Sequence, residues 1–158
     1  MIWWVLPSAI ALSIGGLVVW LRRIFLVVTV DGPSMSPTLV PGDRVLVRRG
    51  ARRIGKGSIV VVSRPDPDRG WKDGARHTGE VGTQRWFIKR VVALPGETVT
   101  SAAMPVVVPE RHVYLLGDYA RSADSRQFGP CPTEQILGKV VHRYTRRDGA
   151  LQHDVHPP

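Results

Sequence analysis

The sequence predicts a mostly β domain carried on one N-terminal transmembrane helix, and three observations predict it. Residues Ile2 to Leu21 contain no charged side chain. Runs rich in Val, Ile and Leu follow, each bounded by Pro, Gly or Asp turns, and no later segment sustains a 3.6-residue apolar period. Gly 16 and Pro 13 together make about 18% of the 158 residues, against roughly 12% in an average chain, so turns are frequent and strands short. The length suits one compact domain. With 43% hydrophobic and 22% charged residues, disordered and collagen-like chains are excluded.

The first element is the apolar stretch. At about 1.5 Å per residue, a helix of this length crosses about 30 Å, the hydrocarbon core of a bilayer. Trp3 and Trp4 at one end and Trp20 at the other suit the two interfaces, and Arg22 and Arg23 close the segment. A cleavable secretory signal is the alternative, but it needs a basic start and a small-residue cleavage site, and this chain begins Met-Ile-Trp-Trp. Residues 1–23 are therefore expected to be a retained anchor. The positive-inside rule, applied to Arg22 and Arg23, would put the rest of the chain in the cytoplasm.

Strands are expected over Ile24–Val30, Arg44–Val47, Ser58–Val62, Trp86–Ala93, Pro105–Val108, His112–Leu116 and Lys139–Tyr144. Pro41-Gly42-Asp43, Pro65-Asp66-Pro67-Asp68, Pro95-Gly96-Glu97 and Gly117-Asp118 supply the turns. Residues 24–146 form the β-rich domain, with the polar stretch 65–84 a hairpin insertion. Residues 147–158 read as a frayed tail whose His153 and His156 are solvated.

Composition also limits partners. The formal net charge is +9, which favours nucleic acid or lipid headgroups; the strand pattern has no recognition helix and the anchor confines the chain to a membrane, so lipid is expected and nucleic acid is not. Cys131 is the single cysteine; it can form no internal disulfide and makes a poor metal site, so it reads as an apolar filler, with no metal and no cofactor expected.

Three segments carry chemistry. Asp31-Gly32-Pro33-Ser34-Met35-Ser36-Pro37-Thr38-Leu39 is a rigid turn that presents a serine, though a serine in such a turn is also ordinary loop chemistry. In Trp86–Ala93, alternation places Lys89 on one face with Phe87 and Val91 and Arg90 on the other. Lys89 either snorkels to water or is desolvated, and desolvation lowers an amine's pKa because the charged form is penalised. The third segment, Leu116 to Gly129, packs serines, carboxylates and arginines into one loop, and its Asp124 and Arg126 suggest a loop tied down by hydrogen bonds.

These segments, taken in order as Gly-Pro-Ser34-Met-Ser-Pro-Thr-Leu, Gly-Asp43-Arg-Val-Leu-Val, Phe-Ile-Lys89-Arg-Val-Val-Ala-Leu-Pro-Gly-Glu and Gly-Asp118 with Ser122-Ala-Asp124-Ser-Arg126, resemble the bacterial type I signal (leader) peptidases, which are Ser-Lys proteases. The resemblance spans roughly Val30 to Tyr144. It implies that Ser34 is the nucleophile and Lys89 the general base, that Ser122 orients the lysine, and that Met35 lies beside the scissile bond. It also implies that Asp118, Asp124 and Arg126 hold the loop. A base within hydrogen-bond reach is what makes a serine hydroxyl nucleophilic, and a neutral lysine can serve. Gly32 stands where some relatives have a serine that helps hold the oxyanion, leaving the Ser34 N–H as the main donor, because Pro33 has none. The third segment is one residue shorter than the commonest form, so Ser125 competes with Ser122.

The implied activity is removal of N-terminal signal peptides from exported preproteins, with small residues preferred before the cut and the domain on the extracytoplasmic side. The preprotein's signal peptide would bind as an added strand at a sheet edge beside Ser34. Two other readings stay open: a maturation protease dedicated to one or a few precursors, and a non-catalytic anchored β-domain that binds lipid or a secretion partner.

Overall fold

The computed structural model describes residues 5–51, 53–68, 70–71, 86–100 and 104–144, with side chains from Ser13 onward. The chain is mostly β. Helix α1 (Val5–Ile24) leads directly into β1 (Phe25–Thr29), followed by β2 (Arg44–Arg49), β3 (Ile59–Ser63), β4 (Trp86–Ala93), β5 (Thr98–Thr100), β6 (Pro105–Val107), β7 (His112–Leu116), a one-turn helix α2 (Ser125–Phe128), β8 (Cys131–Pro132) and β9 (Ile136–Tyr144). Most of the expected insertion and all of the tail, with His153 and His156, lie outside the described residues.

Helix α1 extends one residue past the expected boundary, so Ile24 is helical and the first strand begins at Phe25. Its described side chains Ile14, Leu17, Val18, Val19 and Trp20 are largely exposed. Among the described residues no helix is long and apolar enough to cross a membrane, and the side chains so described cover only the C-terminal part of α1.

Seven strands form one antiparallel sheet in the order β1-β2-β9-β3-β4-β7-β8, and β5 pairs with β6 separately. Alternation decides which side chains are inside: in β2, Val45 and Val47 are wholly buried while Arg44, Arg48 and Arg49 are exposed. Val30, Met35, Leu39, Val45, Val47, Val61, Ile88 and Leu137 make one core cluster, and Val60, Val62, Val91, Val113, Leu115, Cys131 and Ile136 another. Each fully buried aliphatic side chain contributes on the order of 1.5–3 kcal/mol.

Long β9 contributes to both clusters, Leu137 to the first and Ile136 to the second, and its register shifts against β2 and β3. Its Gly138 is pressed against β2, where an added Cβ would stand 2.2 Å from the Arg48 carbonyl oxygen, so only glycine lets the two backbones approach. Strands β1 and β4 are separated by three others, yet both line one cavity. The sheet therefore curls, and this curl brings the serine turn to the lysine strand.

Other expectations about elements also differ from the structure: β2 runs on to Arg49, β3 lies one residue later than expected and β6 ends at Val107. The strand Lys139–Tyr144 begins three residues earlier, at Ile136, because the buried Ile136 and Leu137 continue the pairing. Strands β5 and β8 are too short to show a pattern. The loop after β7 contains a helical turn, capped by Asp124, whose side chain accepts from the Arg126 N–H.

Candidate active site

Ser34 occupies the middle of a single 3-10 turn, Pro33–Met35. Pro33 presets φ at the first position, and Gly32 before it is extended. The turn is closed by Ser36 N–H donating to the Pro33 carbonyl (2.9 Å) and Leu39 N–H to the Met35 carbonyl (2.8 Å). At the base of the same loop Asp43, 2% exposed, accepts from Val40 N–H (2.9 Å) and pairs with Arg143 (2.9 Å), while Val30 and Gly42 exchange bonds with Asp43 and Val30 carbonyls. The serine thus stands on a loop fixed at both ends.

Met35, expected beside the scissile bond, has its side chain wholly buried in the first core cluster and absent from the cavity wall. An unbranched apolar side chain next to the serine serves here to seat the turn.

Lys89 lies on β4, paired with Val60 of β3, and is only 2% exposed. Its Nζ rests 5.0 Å from the centroid of the Phe87 ring, two residues back on the same face. Burial lowers its pKa from 10.5 to about 8, with the nearby Asp124 carboxylate opposing and Arg126 assisting the change. About 3 kcal/mol separates this amine's protonation preference from that of a free lysine, which leaves about a tenth of it neutral at pH 7 against well under a thousandth for a free lysine.

The loop after β7 is organised by one carboxylate. Asp124, 1% exposed, accepts from Gly117 N–H (3.0 Å), Ser122 Oγ–H (2.7 Å), Arg126 N–H (3.1 Å), Arg126 Nε (2.9 Å) and Arg126 Nη2 (2.8 Å). Burial pushes its pKa up, but these donors prevail and hold it at about 2. Because Ser122 gives its proton to Asp124, its oxygen faces other neighbours as an acceptor. Ser125, the competitor, accepts from Leu115 N–H (2.9 Å) in a buried position and takes no part in the cavity wall, whereas Ser122 does.

Gly117 is where the loop and the serine turn touch. An added Cβ would stand 2.0 Å from Ser122 Oγ and 2.6 Å from the Ser34 carbonyl oxygen. The Ser34 carbonyl also accepts from Tyr119 N–H at 3.1 Å. Asp118 forms a two-pronged pair with Arg90 (2.8 and 2.6 Å), and Arg90 also reaches Thr38 Oγ1 (3.3 Å) and the Gly57 carbonyl (3.1 Å). This pair holds the Asp118 carboxyl below the usual carboxylate range and raises the Arg90 pKa. Arg90 therefore ties β4, the serine loop and the β7 loop together. Sequence reasoning missed it, although its position beside Lys89 and the Gly-Asp that follows β7 were the available signals.

The result is one cavity of about 970 Å³ lined by Ser34, Lys89 and Ser122 together with residues of β1, Trp86, Phe87, Ile88, Arg64, Tyr119 and Arg121. No hydrogen bond joins Ser34 to Lys89 among the described residues. Catalytic contacts often close only when substrate is bound. A hydroxyl, a largely desolvated amine and an acceptor hydroxyl around one cavity can perform nucleophilic acyl transfer. Among the described residues no group of His, Cys, Asp and Glu could hold a metal ion.

The family described as Signal peptidase, peptidase S26, matches residues 1–108 and 101–145. Over 130 residues the chain is 34% identical to mitochondrial inner membrane protease subunit 1 of Schizosaccharomyces pombe, covering 76% of this chain and 73% of that protein. It is 37% identical over 137 residues to mitochondrial ATP-independent inner membrane protease subunit 1a of Arabidopsis thaliana, covering 77% and 71%. Against the chloroplastic thylakoidal processing peptidase 1 of A. thaliana it is 29% identical over 143 residues, covering 73% of this chain and 41% of the relative.

Proposed function

This chain belongs to the peptidase S26 family of serine peptidases, and from that premise we propose that it is a membrane-anchored endopeptidase that removes N-terminal signal peptides from precursors through a Ser34–Lys89 dyad. The observation that carries the reading is the buried Lys89, its pKa lowered to about 8, on the wall of the cavity that also holds Ser34 and Ser122.

In the proposed reaction neutral Lys89 takes the Ser34 proton as Oγ bonds to the scissile carbonyl carbon. The developing oxyanion is met by the Ser34 N–H, a first-turn donor of the 3-10 turn that has no partner among the described residues. The lysine ammonium then protonates the departing amine as the C–N bond breaks, leaving an ester on Ser34. Water, deprotonated by Lys89, hydrolyses that ester. Ser122, already donating to Asp124, accepts from the lysine and orients it. Edge strand β1, whose residues from Val27 onward line the cavity, offers its free side to an extended substrate.

Helix α1 is the proposed anchor, with the domain on the extracytoplasmic face and its basic residues near anionic headgroups. Anchoring would confine enzyme and precursor to one surface and raise their effective concentration. Between a general and a dedicated enzyme, the names of the relatives, inner membrane proteases and a thylakoidal processing peptidase, favour a dedicated one.

The test is cleavage of a set of detergent-solubilised precursors by the wild-type chain, Ser34→Ala and Lys89→Ala. Loss of product in both variants, with each still unfolding cooperatively as a folded domain, supports the dyad; full activity in either one refutes it. Equal cutting of generic preproteins would remove the dedicated reading.

A further inference from the structure

The charge of the cavity wall is unbalanced in a way the dyad does not use. Among the described residues of its lining, two arginines besides Lys89, Arg64 and Arg121, stand against a single carboxylate, Asp31. Other arginines around the site are engaged: Arg90 by Asp118, Arg126 by Asp124 and Arg143 by Asp43. Among the described residues neither Arg64 nor Arg121 pairs with a carboxylate. Arg64 instead places its guanidinium carbon over the Phe87 ring, 5.8 Å from the centroid of the same ring that lies against Lys89. A guanidinium that no carboxylate occupies presents a planar fork of N–H donors, and that fork matches a carboxylate in two-pronged geometry.

Resting on the endopeptidase reading, we infer that this cavity selects substrates bearing an acidic side chain close to the scissile bond, with Arg64 on Phe87 as the recognition group and Arg121 as its neighbour across the wall. Phe87 also sets the scale. Its two distances together cap the separation of the Arg64 guanidinium carbon from Lys89 Nζ at about 11 Å, and an extended peptide advances about 3.3 Å per residue. The acidic residue therefore lies within about three residues of the cut. Lipid headgroups are the less suitable occupant, because Arg64 is braced on the ring that also carries the buried amine.

The test uses the full chain in non-ionic detergent and synthetic precursor peptides carrying Ala, Asn or Asp, one position at a time, at the three residues on each side of the cut. At one or more positions Asp is expected to raise kcat/KM about tenfold over Asn, as a charge-assisted hydrogen bond would. Within Arg64→Gln that Asp-to-Asn ratio is expected to fall to about one, with Arg64→Lys keeping part of it. Comparing two peptides inside each variant cancels any general loss of activity. Ratios of one or less at every position in a wild-type chain that cuts the peptides overturn the inference, as does an unchanged ratio in the Arg64→Gln, Arg121→Gln double variant. Cleavage that ignores the peptide's charge but rises with anionic vesicles, and loses that rise in Arg64→Gln, assigns the guanidinium to lipid and also overturns it. If wild type cuts no peptide at all, the failure lies with the endopeptidase reading beneath.

Discussion

Replacing Lys89 by methionine should stabilise the domain while abolishing its activity. The unfolded chain holds the amine at its ordinary pKa of 10.5, and burial lowers the folded value to about 8. Below pH 8 both states carry the proton, and the folded state bears the full penalty of a charged group that is only 2% exposed, about 3 kcal/mol. Between pH 8 and 10.5 the unfolded state binds more proton than the folded one, so the stability of the wild type rises with pH by about 1.4 kcal/mol per unit. Above 10.5 neither state is charged and the penalty is gone. Methionine fills a similar unbranched volume without a charge. Lys89→Met should therefore be more stable at pH 7 by up to about 3 kcal/mol, with the advantage shrinking as pH rises from 8 to 10.5. Urea unfolding of both proteins in the same detergent at several pH values measures it, and groups common to both cancel in the difference. A variant that is less stable at pH 7, or a difference that does not change between pH 8 and 10.5, would refute the claim that desolvation lowers the lysine's pKa.

Other outcomes follow from the same geometry. The kcat/KM of the wild type should climb with pH and level off above an inflection near 8, since the proposed base Lys89 acts only without its proton; stopped-time peptide cleavage across pH reports this, and an inflection at the free-lysine value would remove the depressed base. Gly117→Ala should cut activity by orders of magnitude and destabilise by about 1–3 kcal/mol, because its Cβ collides with Ser122 Oγ and the Ser34 carbonyl; wild-type cleavage and melting would show that the contact is not tight. Ser122→Ala should lower kcat with little change in KM, whereas Ser125→Ala should chiefly cost stability, about 1–3 kcal/mol from the orphaned Leu115 N–H, and a reversal of the two effects would exchange their roles. Arg90→Lys should lose part of the activity despite keeping the charge, because an ammonium cannot span both Asp118 oxygens and Thr38; activity equal to wild type would show that the fork is dispensable.

The strands were legible wherever alternation extended over four or more residues. Val45 and Val47 against Arg44 and Arg48 mark the two faces of β2 without any knowledge of its neighbours, and the turns at Pro41-Gly42-Asp43 and Pro95-Gly96-Glu97 mark where strands must stop. Thr98–Thr100 and Cys131–Pro132 were not legible, because two or three residues cannot display a period and their pairing depends on partners distant in the chain. The candidate serine and lysine were readable as residue types in ordered segments. The resemblance placed Met35 beside the scissile bond, and only the structure shows which way its side chain points, into the first core cluster. The choice between Ser122 and Ser125 likewise needed coordinates, since only the placement of Asp124 separates the one that faces the cavity from the one that caps β7.

By itself, the sequence determined the longer strands, the turns between them and the few side chains proposed for the chemistry, because alternation and turn preference are local properties of a chain. The order β1-β2-β9-β3-β4-β7-β8 and the curl that carries β1 round to β4 came only from the tertiary structure. So did the desolvation of Lys89, since an amine's proton affinity is set by everything packed around it and most of that arrives from residues far along the chain.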